Sequence, residues 1–192
     1  PVASLPGARG DGQPVQTLIE LEKGTQLLHY FAGPLQAQLL LSSSGGYGFL
    51  AQVEHMLSRQ RGGKAFIGCN EGETVCAPSH VAGSSGSVAL PEATHVACAS
   101  AGGRLLTFAL SELRQMPKGG RGLMLMGLDD KDTLVGAAAY TRSIRVEGTG
   151  RGGKEREEVL EIRSLNNAAA ARGRKGKAAN WGFKPQRIAR VE

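Results

Sequence analysis

The residues of this chain best suited to chemistry are lysines and arginines set on tight glycine turns, and the chemistry they suit is phosphate contact. Glycine lets backbone N–H groups approach an anion closely, and flanking cations add charge. The pattern occurs four times: Arg9-Gly10-Asp11-Gly12, Arg61-Gly62-Gly63-Lys64, Lys118-Gly119-Gly120-Arg121-Gly122 and Arg172-Gly173-Arg174-Lys175-Gly176-Lys177. The candidate contacts are Arg59, Arg61, Lys64, Arg104, Lys118, Arg121, Arg151, Lys154, Arg174, Lys175 and Lys177. Reading of bases is not implied, because no recognition helix is legible and an aromatic content of 5% is too small for a stacking platform.

Other residue types point to less. Gly45-Gly46-Tyr47-Gly48 is not followed by the Gly-Lys-Ser/Thr of a phosphate-binding loop and falls inside a hairpin pattern. His29, His55, His80 and His95 are scattered, with no carboxylate or serine at a telling spacing, so proton transfer is not expected of them. Cys69, Cys76 and Cys98 form no even framework and no paired C-x-x-C, which predicts reduced, buried thiols and no metal. Trp181 with Phe183 is expected to pack a final strand or close the array.

Charge is unevenly placed. From Arg172 onward the chain carries Arg172, Arg174, Lys175, Lys177, Lys184, Arg187 and Arg190 against Glu192 alone, a surplus equal to the whole net charge of +6. The remainder is neutral on balance, with cations in the turns and anions in Glu20, Glu22, Glu71, Glu73, Asp129 to Asp132 and Glu155 to Glu161. Such segregation predicts a basic face and an acidic one. No apolar run reaches the roughly 18 residues of a membrane span, and the opening Pro1-Val2-Ala3-Ser4 lacks the charge of a signal peptide. An intracellular chain is expected. Beginning without Met in the middle of a pattern, it reads as a piece of a longer one.

The elements that position the turns follow from their spacing. Measured from Gly10 to Gly62, Gly119 and Gly173, the intervals are about 50 to 57 residues, the range of stacked or circular supersecondary units. Glycine at 28 residues and proline at 8 punctuate the chain too often for long helices, which makes it all-β. Two apolar runs joined by small residues and glycine mark hairpins at 38–50 and 94–108, with Gly46 and Gly103 in the same place. A third hairpin joins Arg142 to Val146 with Glu158 to Leu160 through a longer, basic turn.

Each hairpin leads into a short bridge, at 53–57, 111–114 and 162–165, too short for an independent helix. A basic glycine turn follows, then strands such as 65–69 or 123–127, and 27–31, 74–77 or 132–136. The stretch Gly83 to Ser87 reads as a surface loop, and Asn166 to Ala171 as a helical turn or a connection. One unit thus holds about four strands, like a propeller blade, and the chain holds roughly three: approximate repeats 5–58, 59–114 and 115–192 within one domain spanning 1–192.

The order of hairpin glycines, acidic bridge and basic glycine turn resembles the C-terminal domain shared by the A subunits of bacterial type IIA topoisomerases. The resemblance rests on Leu5-Pro6-Gly7-Ala8-Arg9-Gly10-Asp11-Gly12-Gln13-Pro14-Val15, Gly45-Gly46-Tyr47-Gly48-Phe49, Arg61-Gly62-Gly63-Lys64-Ala65 and Gln186-Arg187-Ile188-Ala189-Arg190-Val191. It covers almost the entire chain, and in detail it favours the topoisomerase IV branch. Gyrase is the competing branch: its box Gln-Arg-Arg-Gly-Gly-Lys-Gly compares with Arg59-Gln60-Arg61-Gly62-Gly63-Lys64-Ala65, where the first two positions are exchanged and the last is Ala.

The resemblance implies a β-pinwheel, propeller-like blades exchanging a strand with their neighbours around a basic rim, with one or two further blades upstream. By the same resemblance the domain binds double-stranded DNA without sequence preference, captures and orients the duplex to be passed, and tunes decatenation and supercoil relaxation. It implies no catalysis here, since the family's catalytic tyrosine lies in another domain and is neither Tyr47 nor Tyr140. No small-molecule substrate or cofactor is expected in this piece. ATP and Mg2+ belong to the whole enzyme, an A2B2 assembly located in the cytoplasm on the nucleoid and open to peripheral contact with the inner membrane. The alternative of another class is a propeller-like scaffold for protein partners with an incidental basic tail.

Overall fold

The computed structural model describes residues 7, 10–85 and 88–191. Among them the chain runs β1 (Gln38–Ser42), β2 (Tyr47–Gln52), α1 (Val53–Met56), β3 (Ser79–Ser85), β4 (Val88–Leu90), β5 (His95–Ser100) and β6 (Arg104–Ala109). It continues through β7 (Leu123–Met124), β8 (Leu134–Tyr140), β9 (Ser143–Thr149), β10 (Glu155–Glu161), α2 (Ile162–Asn166), β11 (Lys177–Ala178) and β12 (Lys184–Val191). The fold is all-β, with one helical turn at each of the bridges 53–56 and 162–166 and a 3-10 turn at Leu110–Glu112.

Three antiparallel hairpins form the three sheets, paired about Leu41 and Phe49, Cys98 and Leu106, and Ile144 and Leu160. Gly46 and Gly103 close the first two at φ 84° each, a left-handed conformation that a side chain would strain. The sheet orders are β4-β3-β1-β2-β7, β11-β6-β5-β8 and β10-β9-β12. Each hairpin therefore takes a later strand on its first member: β3 on β1, β8 on β5, β12 on β9. The second member of the first two hairpins takes a strand from a still later stretch. β7, which follows the third basic turn, pairs with β2, and β11, which begins at the last residue of the fourth, pairs with β6. These exchanged strands are two residues long, and parallel bridges from Gln115 to Leu50 and from Ala169 to Thr107 reinforce them.

Blades pack face to face through small and branched residues. Val96, Cys98, Leu106, Ala137 and Ala139 meet Leu40, Val81, Leu125 and Met126 in one cluster, while Ala97, Ala99, Ala138 and Tyr140 meet Ile144, Val146, Leu165 and Trp181 in the next. The alanines alternate along β5 and β8, so each strand serves two clusters, and their small size lets neighbouring sheets approach closely. The opposite face of the third sheet is charged instead. Arg145 lies between Glu147 and Glu157 at 3.9 and 3.6 Å, and Arg187 reaches Glu147 at 3.5 Å.

Several local expectations change. Leu27 to Phe31 is irregular and makes no strand pairing among the described residues, although Phe31 packs against His80 of β3. Ala65 to Cys69 makes only a single bridge, Ile67 to Gly120, which leaves Cys69 exposed rather than buried. The expected loop at 83–87 belongs in part to β3, which extends to Ser85 and pairs with β4 as a hairpin; Gly86 and Ser87 lie outside the described residues, as does Arg9 of the first turn. Cys76 and Cys98 are buried as expected, and burial pushes both thiols up, Cys76 to about 11. Among the described residues no helix is long and apolar enough to cross a membrane, and no group of three metal-ligating side chains gathers.

Candidate nucleic-acid interface

The basic turns are joined by backbone hydrogen bonds into one row. In the third turn Gly120 donates its amide to the Phe66 carbonyl at 2.8 Å and accepts the Gly68 amide at 2.9 Å, docking on the stretch just after the second turn. The fourth turn repeats the arrangement one unit later: Gly173 donates to Leu125 at 2.9 Å, and Arg174 accepts from Gly127 at 3.0 Å. At the second turn Arg61 accepts from Glu20 at 3.1 Å. Turns 50 to 57 residues apart in sequence thereby become spatial neighbours, each seated on the segment that trails the one before it.

The hairpin turns lie alongside and receive the exchanged chain. The Gly46 carbonyl accepts the Leu125 amide at 2.7 Å, and the Gly103 carbonyl accepts the Ala179 amide at 2.8 Å. Arg104 follows Gly103 directly, and Arg151 and Lys154 occupy the corresponding turn of the third hairpin, where Gly152 and Gly153 adopt φ 73° and 76°.

Within this framework the eleven candidate cations divide in two. Arg59, Lys118, Arg151, Lys154, Arg174 and Lys177 are exposed, and among the described residues they make no ion pair. The others are engaged. Arg121 Nη2 contacts Glu73 Oε1 at 2.9 Å while its guanidinium covers the Tyr47 ring at 4.1 Å. Arg104 Nε reaches Asp129 Oδ2 at 3.0 Å, and Lys175 Nζ holds the other oxygen of the same carboxylate. Lys64 donates to the His55 carbonyl at 2.5 Å and lies 5.5 Å from the Phe66 ring centre. Arg61 faces Glu20 at 3.9 Å with both side chains largely in solvent. Lys175 first and Arg104 second hold the Asp129 carboxyl below the usual carboxylate range.

These pairs correct the expectation of separate basic and acidic faces. Glu20, Glu73 and Asp129 sit against the basic turns, because the segment trailing one turn is the segment on which the next one docks. Sequence reasoning also passed over Tyr47, Glu73 and Asp129 as partners of the cations. A signal was available for Glu73 alone, which follows Gly68 as Asp132 follows Gly127, each carboxylate reaching a hairpin glycine, at Gly45 or Gly102. Trp181 is only 8% exposed and stacks with Phe183 at 6.3 Å, so it packs the core between the second and third blades.

Hairpins that hand a two-residue strand to the preceding blade define a β-pinwheel array. Residues 94–140 match the family described as the DNA gyrase C-terminal domain, beta-propeller. Over 176 residues, 91% of its length, the chain is 37% identical to the DNA topoisomerase 4 A subunit of Neisseria gonorrhoeae, and over 194 residues it is 30% identical to that of Escherichia coli K12. It spans 22% and 24% of the length of these relatives. The E. coli ParC C-terminal domain superposes with a TM-score of 0.79 at 25% identity, covering 97% of this chain and 73% of that one. A DNA gyrase A C-terminal domain shares the fold at a TM-score of 0.66 and 18% identity, with coverage of 90% and 56%. The chain belongs to the family of C-terminal domains of bacterial gyrase and topoisomerase IV A subunits.

Proposed function

We propose that this domain binds duplex DNA through its phosphates, along the row of basic glycine turns, without reading base sequence. The observation that carries the proposal is the row itself. Backbone hydrogen bonds align the turns, and Lys118, Arg174 and Lys177 stand exposed on them without an ion pair among the described residues. Cations repeated along a line match a uniformly charged polymer better than a small anion, and counterion release then supplies the affinity. Arg59, Arg151 and Lys154 extend the surface at its margins.

Relatedness to the A subunits of topoisomerase IV supports a wider reading. In the full enzyme the domain captures and orients the duplex to be passed, and so tunes decatenation and supercoil relaxation. Its partners are the remainder of its own polypeptide and the ATPase polypeptide of an A2B2 enzyme acting in the cytoplasm on the nucleoid, with ATP, Mg2+ and the catalytic tyrosine all in other domains.

A mobility-shift titration of random-sequence duplex at two salt concentrations tests the binding. Several phosphate contacts require a steep fall in affinity with salt and near-equal affinity for unrelated sequences. No binding at low salt would sink the proposal and leave the protein-scaffold reading.

A further inference from the structure

Asp129 lies between two of the candidate phosphate-binding cations. Its two carboxylate oxygens face Arg104, beside the second hairpin's turn, and Lys175, on the fourth basic turn, and Arg104 Nη1 also donates to the Gly176 carbonyl at 3.4 Å. The group is not part of a sealed joint: the side chains of Asp129, Arg104 and Lys175 are 40%, 35% and 59% exposed. Ion pairs at such exposure contribute little to folding. Two cations converging on two oxygens is also the geometry that binds a phosphodiester.

The preceding junction shows by contrast what a structural pair looks like. Glu73 is 14% exposed, accepts from the Asn70 amide at 3.1 Å as well as from Arg121, and lies over Gly45, while Arg121 is covered by Tyr47. There the carboxylate is the shielded partner, while the Arg121 side chain keeps 34% exposure. Aligning the junctions on Gly68 and Gly127, whose amides make the equivalent hydrogen bonds, places Asn70 where Asp129 stands. The charge is therefore particular to the second junction, where Arg104 also replaces Tyr47.

We propose that Asp129 is a built-in competitor for DNA phosphate: it occupies the Arg104–Lys175 pair, DNA reaches those two cations only by displacing it, and the domain's affinity is set below what its cations would otherwise give. This rests on the DNA-binding reading, and the experiment separates the two.

Random-sequence duplex is titrated over a range of salt with the 192-residue chain, with Asp129→Asn and with Asp130→Asn, a neighbouring exposed acid without an ion pair among the described residues. Both variants change net charge equally, so the difference between them reports the position alone. Asp129→Asn is expected to bind several-fold more tightly than Asp130→Asn at low salt. Each additional phosphate neutralised steepens the logarithmic salt slope by about 0.9, so the expected increase is about one to two. The thermal midpoint should stay unchanged. Equal affinities and slopes for the two variants, with wild type binding, overturn the competitor and leave DNA binding intact. A lower midpoint together with weaker binding by Asp129→Asn overturns it in favour of a structural joint. Failure of all three proteins to bind at low salt removes the DNA reading and the competitor with it.

Discussion

A Cβ on Gly122 would lie 2.4 Å from the carbonyl oxygen of Gly48. That approach is where the third basic turn enters the first blade: Gly122, at φ 86°, swings the chain so that Leu123 pairs with Gly48 at the edge of β2. One unit later Gly176, at φ 71°, lies against the Leu105 carbonyl, 2.5 Å from where its Cβ would be, and Lys177 pairs with Leu105. The basic turn and the exchanged strand are thus one device. The glycines that expose the cations also let the chain cross between blades.

Gly122→Ala and Gly176→Ala should therefore be costly. Left-handed strain and a clash with backbone rather than a movable side chain combine to a loss of about 2–4 kcal/mol. Gly152, at φ 73°, has nothing within 4 Å of its would-be Cβ, so Gly152→Ala meets the strain alone, about 1 kcal/mol. For a chain of this size each kcal/mol moves the thermal midpoint by about 2–4 °C. Differential scanning calorimetry of the three variants checks the ranking, and equal shifts would refute the crossing role.

Arg121 and Lys118 flank the same glycine pair yet should respond oppositely. Arg121→Ala leaves the mostly buried Glu73 without its cation and uncovers Tyr47, a loss of about 1–3 kcal/mol. Lys118→Ala removes an exposed side chain with no ion pair among the described residues, and stability should stay within about 0.5 kcal/mol. DNA affinity should nevertheless fall for Lys118→Ala. Urea midpoints measured beside mobility shifts separate the two roles; loss of stability for Lys118→Ala would place that lysine in the joint instead.

Reversing Lys118, Arg174 and Lys177 to Glu together tests the row as a unit. Affinity should drop alike for unrelated duplex sequences, and the logarithmic salt slope should shrink by about 0.9 for each phosphate no longer neutralised. The thermal midpoint should barely move, since exposed charges contribute little to folding. An unchanged slope would locate the DNA path elsewhere on the domain.

The hairpins were legible because their signal is local: alternating apolar runs around Gly46 and Gly103 specify a turn whatever surrounds it. The recurrence of basic turns was legible for the same reason. The partners of the cations were not. Arg121 meets Glu73 across 48 residues and Arg104 meets the Gly176 carbonyl across 72, pairings that exist only after strands have been exchanged between blades. Nor does hydropathy separate Leu27 to Phe31, which is irregular, from Leu134 to Tyr140, which is a strand. Strand formation there depends on β5 lying alongside, and no run of side chains announces its neighbour.

His80 gives the domain a pH dependence that can be assigned in advance. On β3 its ring packs 4.9 Å from Phe31, at the contact between the irregular segment after residue 10 and the first blade, and its Nδ1 is buried without a hydrogen-bond partner. Burial first, and the nearby Arg190 guanidinium second, hold its pKa below the ordinary 6.5. The sign follows from which state takes up the proton more readily. As pH falls through 6.5 the unfolded chain protonates before the folded one, so stability is full above that value and declines below it until the folded state protonates as well. The thermal midpoint should accordingly fall between about pH 7.5 and about pH 5.5, and His80→Gln, which cannot take up the proton, should flatten the profile over that interval. A wild-type midpoint independent of pH in this range, or a decline retained in His80→Gln, would assign the acid sensitivity to another group.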